Sequence, residues 1–284
     1  MKEGEASFTA RFPAILRAAH QVLDGNPKIL DDPLAVGFVE GAEETDIKSN
    51  LQRYQSPPLV QARAWFAMRH RFTEDCLAQA MAEGITQYVI LGAGLDTFAY
   101  RPAQAATPLQ IYEVDYPATQ DWKIERLAAL DITPPEHVSY VPVDFENQNL
   151  TQGLAQSTFD FSAPVFFSWL GVTMYLERRA VYATLKEIIA LPPSSRVVFD
   201  FELDDAALEG QVKSSIAKAS ASAARRGEPW KSRFKALELE DTLRTMGFGA
   251  VSYFDSSQAE KNYFTGRADG LSLNGAGNIM LARV

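Results

Sequence analysis

The chain has 284 residues, 46% of them hydrophobic, enough for one large globular domain or for a core domain with a cap. Its 27 Lys and Arg stand against 36 Asp and Glu, a formal charge of −9, and a field of that sign repels phosphate backbones, so nucleic acid is excluded as an expected partner. The single cysteine, Cys76, allows no internal disulfide, the sequence has no Cys/His metal spacing, and no apolar run approaches the ~20 residues that span a bilayer. An acidic N-terminus without the apolar core of a signal peptide makes a reducing cytoplasm the expected setting.

In chain order, the first 84 residues read as helical and irregular, a cap packed on the domain of 85–284. Residues 59–83 form the clearest helix, with Ala62, Trp65, Phe66, Phe72, Cys76 and Ala80 at i, i+3 and i+4 spacing. Five short apolar runs follow, at 88–91, 111–114, 138–143, 164–170 and 196–201, with helical patterns such as 118–130 and 177–190 between them. Strand and helix in alternation predict a parallel sheet covered on both faces. Residues 204–236 interrupt the alternation with a basic, helix-prone stretch carrying Lys213, Lys218, Arg225, Arg226, Lys231 and Arg233. It reads either as a solvated charged helix or as a lid that offers Arg225, Trp230 or Arg233 to an anionic acceptor. Two last strands, 250–254 and 279–282, have no obvious long helix between them and predict a closing hairpin with an antiparallel strand. The expected fold is therefore α/β, a seven-stranded, mostly parallel, doubly wound sheet with N-terminal helices and a lid insertion.

The chemistry gathers at the strand ends, where open parallel sheets bind ligands. The first strand runs into Gly92-Ala93-Gly94, and glycines let backbone approach a ligand closely because they lack Cβ. The second ends in Glu113-Val114-Asp115, an acid placed to accept both hydroxyls of a ribose. The third ends in Val143-Asp144-Phe145 and the fourth in Ser168-Trp169-Leu170-Gly171, which offer an acid or backbone pair for an adenine and an apolar wall. Each has a plainer reading: a tight turn for the glycines, a helix cap for Asp115, a loop aspartate for Asp144, and core packing for Trp169. Arg69 lies on the apolar stripe of the 59–83 helix, and an inward guanidinium needs an anion. That anion is either an internal carboxylate or the carboxylate of an amino-acid-bearing ligand. His20, His70 and His137 form no metal spacing, and neither a Gly-x-Ser-x-Gly elbow nor a Gly-x-x-x-x-Gly-Lys phosphate loop is present in the sequence.

Four stretches, Gly-Ala-Gly-Leu-Asp-Thr-Phe-Ala-Tyr-Arg (92–101), Tyr-Glu-Val-Asp-Tyr-Pro (112–117), Val-Pro-Val-Asp-Phe (141–145) and Gly-Val-Thr-Met-Tyr-Leu (171–176), resemble the leucine carboxyl methyltransferase-like family, above all its bacterial S-adenosyl-L-methionine-dependent branch. The similarity runs from about residue 14, through Leu30-Asp31-Asp32-Pro33-Leu34, to Gly227-Glu228-Pro229-Trp230 and the tail. The resemblance implies a class I methyltransferase fold, with Gly92 against the methionine part of the cofactor, Gly94 also cofactor-binding and Asp115 on its ribose. It further implies Asp144 and Phe145 at the adenine, and Arg69, helped by Arg17, on the carboxylate. Two positions depart from related patterns: Leu170 stands where eukaryotic members carry glutamate, and Thr97 replaces the third glycine of a dinucleotide fingerprint. The first argues against a protein C-terminal leucine as acceptor and the second against NAD. The expectation is in-line methyl transfer to an oxygen of a small molecule, a carboxylate first, because that group is ionised at neutral pH and needs no base. A phenol or alcohol would need one, with His70 or Tyr175 as candidates. A cofactor-binding protein without catalysis and a nicotinamide-dependent oxidoreductase are the rival readings.

Overall fold

The computed structural model describes residues 8–39, 46–104, 107–144, 148–273 and 277–284. Seven strands form one sheet: β1 (Gln87–Leu91), β2 (Gln110–Asp115), β3 (Val138–Pro142), β4 (Phe166–Trp169), β5 (Arg196–Asp200), β6 (Ala250–Phe254) and β7 (Ile279–Arg283). Their order is β3-β2-β1-β4-β5-β7-β6. β1 to β5 are parallel, and β7 runs antiparallel to both β5 and β6. The predicted hairpin partners are thus neighbours, with β7 inserted between β5 and β6. Strand edges fall within one or two residues of the apolar runs, since a strand covered on both faces reads as a nearly continuous apolar run. β1 and β5 are buried along their whole length.

Alternate strand residues feed two cores, as the two-residue period requires. Tyr88, Ile90, Ile111, Phe166, Val198 and Ile279 join helices α1 (Phe8–Leu23), α2 (Pro57–Ala82) and α3 (Pro117–Ala129) in one cluster. Val89, Leu91, Val114, Phe167, Phe199 and Met280 face the other way, toward α4 (Arg178–Ile189) and α6 (Ala236–Met246). The N-terminal helices therefore share a continuous core with the sheet. Among the described residues no helix is long and apolar enough to cross a membrane.

α2 begins two residues before its predicted start, with Pro57 and Pro58 in its first turn, where proline's missing N–H costs nothing. Its buried set is Arg63, Ala64, Ala67, Met68, Arg69, His70, Thr73, Cys76, Leu77 and Ala80, whereas the predicted stripe members Ala62, Trp65, Phe66 and Phe72 are only partly buried. The helix is wedged between α1 and the sheet, so apolar and polar residues are covered on several sides and no single stripe describes it. The 204–236 insertion holds a short 3-10 turn, Asp205–Ala207, and α5 (Gly210–Arg225), on which Lys213, Lys218 and Arg225 are solvent-exposed, as a solvated charged face would be. Its continuation, residues 230–235, is not free: the Lys231 N–H donates to Met174 O, Ser232 Oγ to Thr173 O and the Phe234 N–H to Glu202 O.

Two local arrangements yield stability tests. Lys123 Nζ donates to Glu113 Oε2 at 2.7 Å, with both side chains 1% exposed. Burial pushes the Glu113 carboxyl up against the pull of Lys123. Removing one partner of such a pair leaves an uncompensated charge and costs about 3–5 kcal/mol. Lys123→Met should lower stability by that order in denaturant titration. An acid with a raised folded pKa loses stability as pH rises, so the loss should be larger at pH 8 than at pH 5. Glu113→Leu in the same chain should restore most of it.

Gly92 has φ +67°, and a Cβ there would lie 2.3 Å from Val172 Cγ2. Left-handed backbone costs a non-glycine residue about 1–2 kcal/mol, and overpacking adds about 1–3 kcal/mol. Gly92→Ala should therefore lower the melting temperature, and adding Val172→Ala should recover the packing part of the loss but not the backbone part.

Candidate functional site

Strand register brings the predicted residues onto one rim. Leu91 pairs with Val114 on one side and Trp169 on the other, Asp115 pairs with Pro142, and Trp169 pairs with Phe199. Asp144, Asp115, Gly92, Gly171 and Asp200 therefore follow one another along the carboxyl edge of β3, β2, β1, β4 and β5. Phe145 lies outside the described residues.

The β1 turn is built to present backbone. The Gly92 and Ala93 N–H groups both donate to Val114 O, at 2.8 and 3.2 Å, which folds the turn over the end of β2. Gly92 and Gly94 take positive φ of 67° and 46°. Asp115 closes the corner: Oδ2 accepts the Gly94 N–H at 2.5 Å and Oδ1 the Tyr116 N–H at 2.6 Å. A carboxylate oxygen has two lone pairs, so each oxygen keeps one for a further donor. Burial raises the Asp115 carboxyl, while these two N–H groups hold it toward its charged form. A partly buried carboxylate with two spare, fixed lone pairs is suited to a vicinal diol. Asp144 stands at the next strand end, where its N–H donates to Gln148 Oε1 and its C=O accepts the Gln148 N–H.

Arg69 is 4% exposed and meets an internal carboxylate: Nη1 donates to Asp200 Oδ2 at 2.7 Å. Asp200 Oδ1 accepts the Gly171 N–H at 2.6 Å, and Asp200 O accepts Thr173 Oγ1, also at 2.6 Å. The three groups lock the turn after β4. Arg69 packs its guanidinium 4.6 Å from the Phe66 ring centroid, and its buried Nε has no hydrogen-bond partner among the described residues. The internal ion pair therefore leaves one donor of this arginine unused. Such a donor beside the rim fits a ligand carboxylate.

Arg17 is more fully engaged than its expected helper role required. Nε faces Asp32 Oδ2 at 3.3 Å, Nη2 donates to Leu95 O at 2.5 Å and Nη1 lies 3.4 Å from His70 Nε2. His70 Nδ1 is 2.8 Å from Phe66 O, a pure acceptor, so Nδ1 carries the proton and Nε2 accepts from Arg17. Burial, then Arg17 and Arg69, push His70 well below its ordinary value and keep it neutral. With both nitrogens occupied, His70 has no spare lone pair for an acceptor's proton. Tyr175, the other candidate base, is pushed up by burial, which opposes its ionisation.

Sequence reasoning missed Asp200 and Glu202. The strand-end rule that found Asp115 would also have found them, because the fifth apolar run ends in Asp200-Phe201-Glu202. It missed as well the Asp32 carboxylate, which accepts Thr97 Oγ1 at 2.7 Å and faces Arg101 Nε at 3.4 Å.

Comparison with known proteins agrees with this geometry. A family model described as leucine carboxyl methyltransferase matches residues 10–189. The chain is 31% identical over 294 aligned positions to YktD of Bacillus subtilis, named as a candidate S-adenosyl-L-methionine-dependent methyltransferase, covering 96% of each chain. A Mycolicibacterium paratuberculosis protein of the same description is 32% identical over 203 positions, 68% of this chain and 74% of its own. Among solved structures, a DUF574-family protein from Streptomyces avermitilis superposes with a TM-score of 0.59 at 17% identity, covering 99% of this chain and 98% of the other. A candidate methyltransferase from Thermobifida fusca gives a TM-score of 0.56 at 18% identity, with 98% and 96% covered. These two likenesses show the shared class I fold. A sheet of this order, a glycine turn closed by Asp115 and a family match across more than half its length converge: the chain belongs to the leucine carboxyl methyltransferase family of S-adenosyl-L-methionine-dependent methyltransferases.

Proposed function

We propose that the protein is an O-methyltransferase that esterifies a carboxylate of a small molecule. The observation that carries this reading is the strap of residues 230–235, hydrogen-bonded across the 173–175 turn and the exit of β5. It roofs the β4–β5 end of the rim, which favours a small acceptor over the terminus of a folded protein. The strap also brings cationic and aromatic groups. Arg233 ion-pairs with Asp205 and lies 5.8 Å from the Trp230 ring, and the Tyr175 hydroxyl faces the Trp230 indole.

S-adenosyl-L-methionine, when bound, supplies a sulfonium methyl already activated for displacement. The residues in the assigned roles are Asp115 for the ribose hydroxyls, Asp144 and Phe145 for the adenine, Gly92 and Gly94 for close backbone contact, and Arg69 with Arg17 beside the carboxylate. Their contribution is positioning and the exclusion of water, which suffice for an acceptor that arrives as an anion. The first 84 residues serve as a cap that holds Arg17 and Arg69 against the rim, and α5 with its strap serves as a lid. A carboxylate acceptor also accords with the condition of His70 and Tyr175, neither of which is tuned to take a proton near neutral pH.

Two results test this. Incubation with methyl-labelled donor and separate panels of carboxylic acids, phenols and alcohols should place label in a product that releases methanol under mild alkali, as a methyl ester does. Label in an alkali-stable ether would replace the carboxylate with a hydroxyl acceptor. Opening the roof should cost rate: Ser232→Ala removes the Oγ bond to Thr173 O, and the resulting looser positioning should lower kcat/KM several-fold at unchanged donor affinity.

A further inference from the structure

Glu202 sits two residues beyond the end of β5, at the level where Arg69 and Asp200 meet. Its backbone C=O accepts the Phe234 N–H at 2.9 Å, so the strap fixes its position. Its side chain is partly buried, and no hydrogen bond to its carboxyl is found among the described residues. The charged groups facing it are Asp200 at the end of β5, Arg69 from α2 and Arg233 from the strap. Arg69 is already paired with Asp200 and Arg233 with Asp205, and Tyr175, on the turn after β4, is held neutral. Each cation near Glu202 thus has its own carboxylate, and Glu202 is the surplus acid of the cluster.

Burial, then the Asp200 charge, raise the Glu202 carboxyl to about 7 against the pull of Arg233 and Arg69. An incoming carboxylate adds a further negative charge and drives protonation further, as when two carboxylates share one site. A protonated carboxyl has one O–H to donate, and a carboxylate can accept it on one oxygen while the other keeps its lone pairs. From these placements we propose that Glu202 is a specificity residue that, as the neutral acid, donates a hydrogen bond to the non-attacking oxygen of the acceptor carboxylate. It orients the other oxygen toward the methyl donor and selects carboxylates over hydroxyl acceptors. No proton is consumed in the transfer: the ester forms at one oxygen, and the Glu202 proton stays on Glu202 when the neutral ester leaves. The proposal rests on the carboxylate reading given above.

The test is binding of benzoate and octanoate to the full chain saturated with S-adenosylhomocysteine, by calorimetry between pH 5.5 and 8.5 in buffers of different ionisation enthalpy. Wild type should take up close to one proton per carboxylate bound at pH 8 and almost none at pH 5.5, with affinity falling as pH rises above 7. Glu202→Gln, which keeps a neutral donor, should bind with a flat pH profile and no proton uptake. Glu202→Ala should bind at least tenfold more weakly at pH 6. Carboxylate binding with unchanged proton uptake in Glu202→Gln would overturn the role of Glu202 while leaving the carboxylate reading intact. Binding of phenol or hexanol in place of both acids, with proton release, would overturn both. Donor-product affinity in the two variants, expected to match wild type, separates a local effect from misfolding.

Discussion

The carboxylate of Asp32 has no exposed surface, and the parts of the site depend on the way its charge is met. It faces Arg17 from α1, the Thr97 hydroxyl and Arg101 from the segment after β1. Arg101 reaches on to Glu74 of α2 at 2.7 Å, and Arg17 reaches His70 of the same helix and Leu95 O of the glycine turn. One buried anion therefore ties two N-terminal helices to the loop that presents Gly92 and Gly94. Loss of Asp32 would leave buried arginine charge with less compensation, which is far more costly than loss of a surface pair. The turn after β1 is braced from behind, and on its front Asp115 is held by the Gly94 and Tyr116 N–H groups.

A second anion, Asp200, does the same at the β4–β5 end of the rim. It fixes Arg69, the Gly171 N–H and the Thr173 hydroxyl in one cluster, and so sets the turn on which the strap of 230–235 rests. The two clusters are neighbours through α2, since Arg69 and His70 are adjacent in sequence and belong to different ones. The turn after β1 is in this way coupled to the turn after β4 by a helix that is itself held in the core. Preorganisation of this kind suits a reaction whose donor is already activated and whose remaining barrier is largely one of alignment.

How much of this the sequence discloses depends on range. The glycine turn and Asp115 are legible because a strand, a turn and the end of the next strand are read within about 25 residues, and their register follows from the parallel pairing of β1 with β2. The sheet was legible for a similar reason, because each fully buried strand must be an unbroken apolar run. Arg69 could be seen to need an anion, but not which one, because Asp200 is 131 residues away and only the packing of α2 against β5 brings them together. The Arg17 pairing with Asp32, 15 residues on, was likewise not legible, because it depends on how α1 packs against the segment that follows it. The apolar stripe of α2 does pack on the core, but it shows only part of the buried surface, because a helix covered on several sides also buries polar residues such as Arg63, Arg69 and His70. Asp200 and Glu202 were within reach of the strand-end rule, which was applied to four strands and not to the fifth.

The most direct measurement is calorimetric titration with S-adenosyl-L-methionine, with NAD as the control ligand, on wild type, Asp115→Asn and Arg69→Lys whose folding has been checked by circular dichroism. The account predicts micromolar binding of S-adenosyl-L-methionine, about −8 kcal/mol, to wild type, weakened at least tenfold (about 1.4 kcal/mol) in each variant, and no binding of NAD. Binding of S-adenosyl-L-methionine that is indifferent to both substitutions, or a preference for NAD, would contradict it.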